Sequence, residues 1–227
     1  SSMVAASSCS SNIGIGHTRW ATHGPATVLN AHPHLGGSDD LTIAHNGVIE
    51  NFAELREVLT SKGYTFKSET DTEVVAHLIA ECLKTYRQNS NGEPLSHDSV
   101  VECLKQALAQ LRGTFGIVAI IKEFPKAIFA ARLGSPLVIG IGENEHFVAS
   151  DASPLAGYAD QIVYLADHQV AVVTADHLQV SHRDTGVISH DVKELNIDSG
   201  QVELGEFDHY MLKEIFEQPE SLKNTMR

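Results

Sequence analysis

From residue 113 onward the chain is a succession of short, β-rich apolar runs with little room between them: TFGIVAII, AIFAA, PLVIGIG, HFVAS, QIVYL and HQVAVVT. Gly, Pro, Asn and Asp punctuate the gaps. A crossover between parallel strands needs about a dozen residues or more, so spacing this close favours antiparallel meanders over βαβ units. The first half reads differently. Residues 12–18 and LTIAH at 41–45 read as short strands flanking a His-, Pro- and Gly-rich loop. NFAELREVLTSKG reads as a helix with Asn51 as N-cap, an apolar stripe of Leu55, Val58 and Leu59, and Gly63 as its stop. TDTEVVAHLIAECLKTY is a second helix opened by a capping-box pattern from Thr70 to Glu73. A third helix is expected from Ser99 to Arg112, closed by Gly113. The last stretch, HYMLKEIFEQPESLKNTMR, predicts a helical turn or two that ends at Pro219. Helices gathered early and strands gathered late predict an α+β layered domain.

Length and charge narrow the function. A chain of 227 residues suffices for one large domain with a substantial core. Its formal charge of −13 argues against nucleic acid and anionic membrane as partners, because both require basic patches. No apolar run is long enough to cross a bilayer, and the opening SSMVAASSCSSN lacks the features of a signal peptide. The expectation is a cytoplasmic protein whose residues 1–11 form a flexible lead. Three cysteines without close pairs give neither a disulfide framework nor a zinc spacing. Cys82 and Cys103 fall on apolar helical faces as buried free thiols, whereas Cys9 sits in a Ser-rich stretch. Thirteen histidines are many, yet neither HPH at 32–34 nor the rest show a metal-ligand pattern, so no metal is expected.

Three stretches carry candidate chemistry. In GHTRWATHG, residues 16–24, Arg19 offers a planar fork suited to a carboxylate. Thr22 and His23 add hydrogen bonding there, and Trp20 is able to wall off a small polar ligand. The bland alternative is a strand end with a paired surface arginine. In AHNGVIEN, residues 44–51, Asn46 and Gly47 form either a simple turn or a pair of N–H donors converging on a developing oxyanion. In SETDTEVVAHL, residues 68–78, Asp71 is either a helix-start charge or a receiver for a substrate ammonium group. Together the functional readings match a free amino acid undergoing acyl transfer at its side chain. A nucleophile is missing from the set.

HTRWATHG, NAHPH, HNGVIEN, GYTFKSETDTEV, RGTFGIVAI, GSPLVIG and HYMLKEIFEQP follow one another over nearly the whole chain. In this order they resemble the N-terminal glutaminase domain of the glucosamine-6-phosphate synthase family, the isomerizing glutamine:fructose-6-phosphate amidotransferases. The resemblance implies a class II glutamine amidotransferase with the N-terminal-nucleophile hydrolase fold, a four-layer αββα sandwich. It implies that Arg19 binds the glutamine α-carboxylate with support from Thr22 and His23, and that Trp20 belongs to the loop closing over the site. Asn46 and Gly47 would form the oxyanion hole, and Asp71 would hold the α-ammonium. Glutamine is the implied substrate, a sugar-isomerase domain the implied partner, and no cofactor is required.

The sequence departs from the family's pattern in the nucleophile and in the first strand that follows it. There the nucleophile is an N-terminal cysteine followed by Gly-Ile, with its own α-amine as base, and no such triplet opens this chain. The reading is therefore an amidotransferase domain over residues 12–207 without its first strand and nucleophile, and the start of a linker over 208–227. The alternative is a glutamine- or glutamate-binding module that does not turn its ligand over.

Overall fold

Alternate residues of the apolar runs belong to two different cores, which explains why they read as continuously hydrophobic. In the computed structural model, residues 11–90, 92–195 and 204–225 are described; the expected lead with Cys9 lies outside them. The strands are β1 (His34–Gly36), β2 (Leu41–Ile49), β3 (Gly113–Ile121), β4 (Ile128–Leu133), β5 (Val138–Ile141) and β6 (His146–Ala149). They continue with β7 (Gln161–Tyr164), β8 (Gln169–Val173), β9 (Leu178–His182), β10 (Gly186–Ile188) and β11 (Lys193–Glu194). The helices are α1 (Phe52–Ser61), α2 (Asp71–Asn89), α3 (His97–Leu108) and α4 (Tyr210–Thr225).

All the strand pairings are antiparallel. A seven-stranded sheet runs β1-β2-β3-β4-β8-β9-β10, and a four-stranded sheet runs β11-β7-β5-β6. Ile117, Ala119, Phe129, Ala131, Val170 and Val172 face the helices and join Ile43, Val75, Ile79 and Leu104 in the larger core. The residues between them, Ala130, Ala171 and Val173, face the second sheet and pack on Ile139, Val163 and Leu165. A smaller cluster of Val138, Ala152, Leu155 and Ile162 covers the outer face of that sheet through a 3-10 turn at Ser153–Leu155. The α+β sandwich of helices and two antiparallel sheets is the expected class.

α2 is the central helix. Residues 71–80 are buried on every side, packed against α1, α3, β1 and β2. It approaches β1 so closely that a Cβ on Gly36 would stand 2.3 Å from the Ala76 carbonyl oxygen. Its N-cap, Thr70, accepts a bond from Glu73 N–H as the sequence predicts. The return half of the capping box is absent because the Glu73 carboxylate is taken up by Lys67 N–H, Ser68 N–H and the Ser68 hydroxyl.

Several local expectations are corrected. Residues 12–18 form no strand, since among the described residues nothing pairs with them. Asn51 precedes α1 but does not cap it; its amide ties Gln110 and Arg112, across the start of β3. α3 starts at His97 under a Ser96–Ser99 capping box and stops at Leu108, before Arg112. α4 continues through Pro219 to Thr225, a missing N–H costing an exposed helix one rung of its ladder. β9 and β10 are additional strands, in runs whose apolar content is low.

Candidate active site

The site is built where the C-terminal end of β2 meets the N-terminus of α2. A cleft of about 330 Å³ there is lined by His17, Thr18, Arg19, Trp20, Thr22, His23, His32, His45, Asn46, Gly47, Val48, Thr70, Asp71 and Thr72. Each residue singled out in the sequence, Arg19, Trp20, Thr22, His23, Asn46, Gly47 and Asp71, lies on its wall. A second hollow of about 300 Å³, between the sheets, shares His17, Thr18, His45 and Asn46 with it.

Asp71 is the first residue of α2 and 3 % exposed, so the positive end of the helix dipole supports its charge. Its Oδ2 accepts the Ile49 N–H at 2.9 Å, fastening the helix start to the end of β2. His23 Nδ1 lies 3.7 Å from the same oxygen, and its ring stands edge-on to Phe52. Asn46 and Gly47 form no turn. β2 runs straight through them, opposite Gly116 and Phe115 of β3. Gly47 adopts φ of +130°, a backbone geometry that only glycine takes readily.

Arg19 is turned onto its own loop. Its guanidinium donates to the carbonyls of His23, Gly24 and Pro25, and the Asn30 amide also reaches the Pro25 carbonyl. With three N–H groups engaged this way, a fork-like grip on a carboxylate requires Arg19 to release the loop. Trp20, expected to wall a ligand, stands 89 % exposed at the rim and encloses nothing in this conformation.

Sequence reasoning missed the floor of the cleft. His32, His45, Thr72 and Thr114 close a hydrogen-bond relay there. His45 N–H donates to His32 Nδ1 at 3.4 Å, and His32 Nε2 meets the Thr72 hydroxyl at 3.0 Å. The Thr72 hydroxyl meets His45 Nδ1 at 3.1 Å, and His45 Nε2 reaches the Thr114 carbonyl at 3.5 Å. Every atom in this relay is satisfied when both rings are neutral with the proton on Nε2. HPH and AHN carried the signal, as three histidines in short apolar-flanked stretches.

The electrostatics agree. Burial, then repulsion from His17, His34 and His45, lowers His32 from 6.5 to about 3, and burial also lowers His34 and His45. These histidines are neutral when folded, whereas the unfolded chain takes up protons below about pH 6.5. The contribution of His32 to stability is present above that pH and is lost as pH falls from 6.5 towards 3, and those of His34 and His45 are lost in the same direction. Glu73 acts lower down: burial raises its carboxyl, but His77, Lys67 N–H and Ser68 outweigh this and bring it from 4.5 to about 2. Its contribution is lost only between about pH 4.5 and 2. Going from pH 7.5 to 5 should therefore cost roughly 1–2 kcal/mol after allowance for solvent screening of the half-buried His32. Urea unfolding at the two pH values measures this, and His32→Gln should flatten the dependence; an unchanged slope in that variant would contradict the assignment.

The described cysteines stand apart from this chemistry. Cys82 and Cys103 lie on α2 and α3, the Cys103 Sγ 3.8 Å from the Cys82 carbonyl oxygen, and neither lines the cleft. Cys103 is buried as expected and Cys82 only partly so. Burial pushes both thiols up, Cys103 to about 11, which is unsuited to a nucleophile. Among the described residues no cluster of three or more His, Cys, Asp or Glu is arranged to hold a metal ion, and no helix is long and apolar enough to cross a membrane.

Two antiparallel sheets under a helical layer, with a polar cleft where a strand end meets a helix start, make up a fold shared with solved amidotransferase structures. The structure matches glutamine phosphoribosylpyrophosphate amidotransferase from B. subtilis, solved with ADP and GMP, at a TM-score of 0.57 and 20 % identity, over 75 % of this chain and 35 % of that one. It matches the solved allosteric regulatory enzyme of purine biosynthesis at a TM-score of 0.57 and 24 % identity, over 74 % of this chain and 34 % of that one. At those identities the likeness is one of fold.

The pattern of the glutamine amidotransferase domain matches residues 25–157, more than half of the chain, and the chain belongs to that family. Its sequence is 44 % identical to glutamine–fructose-6-phosphate aminotransferase (isomerizing) of Bacteroides thetaiotaomicron, over 96 % of this chain and 34 % of that protein. The protein of the same name from Chlorobaculum tepidum is 44 % identical over 95 % of this chain and 34 % of its own length. That from Thermococcus kodakarensis is 42 % identical over the same shares. The chain thus spans about a third of the length of these relatives.

Proposed function

We propose that the cleft binds L-glutamine and that this domain is the glutaminase part of an enzyme making glucosamine 6-phosphate from fructose 6-phosphate. The observation that carries the reading is that seven residues picked for amino-acid chemistry, from three separate stretches, line a single cleft. Asp71, buried and anionic at a helix start, receives the α-ammonium. Arg19 swings off the loop carbonyls onto the α-carboxylate, with Thr22 and His23 beside it, and Trp20 folds over the bound ligand. Asn46 Nδ2 and Gly47 N–H stabilise the oxyanion of the tetrahedral intermediate. In the reaction a thiolate adds to the carboxamide carbon, ammonia leaves with a proton, and water hydrolyses the resulting thioester to glutamate. The resemblance assigns that thiolate to an N-terminal cysteine. Ammonia is delivered to a sugar-isomerase domain in a longer protein, an arrangement consistent with relatives three times as long. We take residues 12–207 as the amidotransferase domain and 208–227 as the start of the linker, in a cytoplasmic protein that needs no cofactor.

A second reading is a glutamine- or glutamate-binding module without turnover, which rests on the same lining residues. Titration calorimetry tests what the two share. The chain should bind L-glutamine, and D-glutamine at least about tenfold more weakly, because separate contacts to the ammonium, the carboxylate and the side chain together read the α-carbon. Absence of binding would reject both readings. Glutamate release that thiol alkylation abolishes selects catalysis, and binding without release selects the module.

A further inference from the structure

His17 contributes one hydrogen bond to the site that no sequence reasoning foresaw. Its Nε2 lies 2.6 Å from Asn46 Oδ1, the two residues being half-buried where the cleft and the inter-sheet hollow meet. Its Nδ1 is buried and has no hydrogen-bond partner. The ring is stacked on His32, with centroids 4.3 Å apart and planes inclined by 26°.

The orphaned nitrogen decides the tautomer. Were Nδ1 to carry the proton, a buried N–H would be left without an acceptor, a rarer and more costly state than an unpaired lone pair. The proton therefore resides on Nε2 and is donated to Asn46 Oδ1. A carboxamide has one oxygen and one NH₂ group, so fixing the oxygen fixes the rest. With Oδ1 held by His17, both N–H bonds of Asn46 are left for whatever occupies the cleft. The stack on His32 holds the donor ring in plane, and His32 is itself clamped by the Thr72 and His45 bonds.

We infer that His17 is a positioning residue: its Nε2–H pins the Asn46 side chain in the orientation that presents Nδ2–H, and not Oδ1, to a developing oxyanion. This rests on the proposed role of Asn46, and it adds a requirement which that role alone does not make. Without His17 the amide is free to flip, and a flipped amide turns an oxygen lone pair towards negative charge.

The test compares two ligands that differ at the δ-position, in the group carried on the γ-carbon. L-Glutamine is planar there, and L-phosphinothricin carries a tetrahedral phosphinate with oxyanion character. The intact chain should prefer phosphinothricin. His17→Phe, which retains a ring to stack on His32 but has no donor, should reduce the phosphinothricin-to-glutamine preference by about tenfold, the value of one charge-assisted hydrogen bond. His17→Gln, whose amide is able to donate to Oδ1, should restore most of it. Melting temperatures of both variants show whether any change stems from general loosening, which would weaken the two ligands alike.

Imidazole ¹⁵N signals give a readout that needs no ligand, and they should show His17 as the Nε2–H tautomer. An Nδ1–H tautomer would overturn the inference. So would a His17→Phe chain that keeps its preference while Asn46→Ala loses it, and in that case the role of Asn46 itself survives. An intact chain with no preference would remove the oxyanion reading, and this role with it.

Discussion

Replacement of Gly47 by alanine is expected to destabilise the chain by about 3 kcal/mol, one of the largest effects open to a single added methyl group. Two penalties act together. The backbone at Gly47 has φ of +130°, where a Cβ is strained whatever the surroundings. The new atom would also stand 2.1 Å from the Thr114 carbonyl oxygen and 2.7 Å from its carbon. Those are backbone atoms of the strand paired with β2, so relief requires the C-terminal end of β2 to part from the start of β3. Thr114 carries the carbonyl reached by His45, and the relay under the cleft is disturbed along with the sheet. Urea unfolding measures the effect, and a loss below about 1 kcal/mol would show that the strand pair gives way more easily than this packing implies.

The second large effect concerns ligand rather than fold. Asp71→Asn should leave stability nearly unchanged, since the amide oxygen still accepts the Ile49 N–H. It should weaken L-glutamine binding by about a hundredfold, because the cleft loses the buried charge that faces the α-ammonium. Glutaramic acid, which is glutamine without its amino group, makes the attribution specific. Its affinity should be indifferent to the substitution, giving a coupling of about 2–3 kcal/mol between Asp71 and the ammonium in the double cycle. Equal weakening of both compounds would assign Asp71 a purely architectural role.

Much of this molecule was legible in advance for identifiable reasons. The hairpin strands announced themselves because β3, β4 and β8 are buried on both faces, between helices on one side and a second sheet on the other. α2 was marked by Thr70 at its start and by an apolar run too long for a strand. The candidate residues were picked because most of their side chains suit polar recognition, and the fold gathers all seven into one cleft. What escaped was set by distant partners. Asn46–Gly47 reads locally as a turn, yet β3 holds it extended. Asn51 reads as a cap, but its amide is drawn to Gln110 and Arg112. The histidine relay joins residues 32, 45, 72 and 114, and no local pattern reveals that four such positions converge.

The pairing of β2 with β3 has a consequence for how the molecule comes together. The hairpins β3–β4, β5–β6 and β8–β9 join neighbours in sequence, whereas β2 reaches β3 only across the three helices between them. Closing that long loop carries a large entropic cost, and it sets the Thr114 carbonyl under the cleft, where His45 reaches it. The floor of the cleft is thus completed by a contact that spans the three helices, unlike the hairpins, whose partners are neighbours along the chain. A ligand held in the cleft binds only the chain in which these contacts have formed, and so stabilises the native state by mass action.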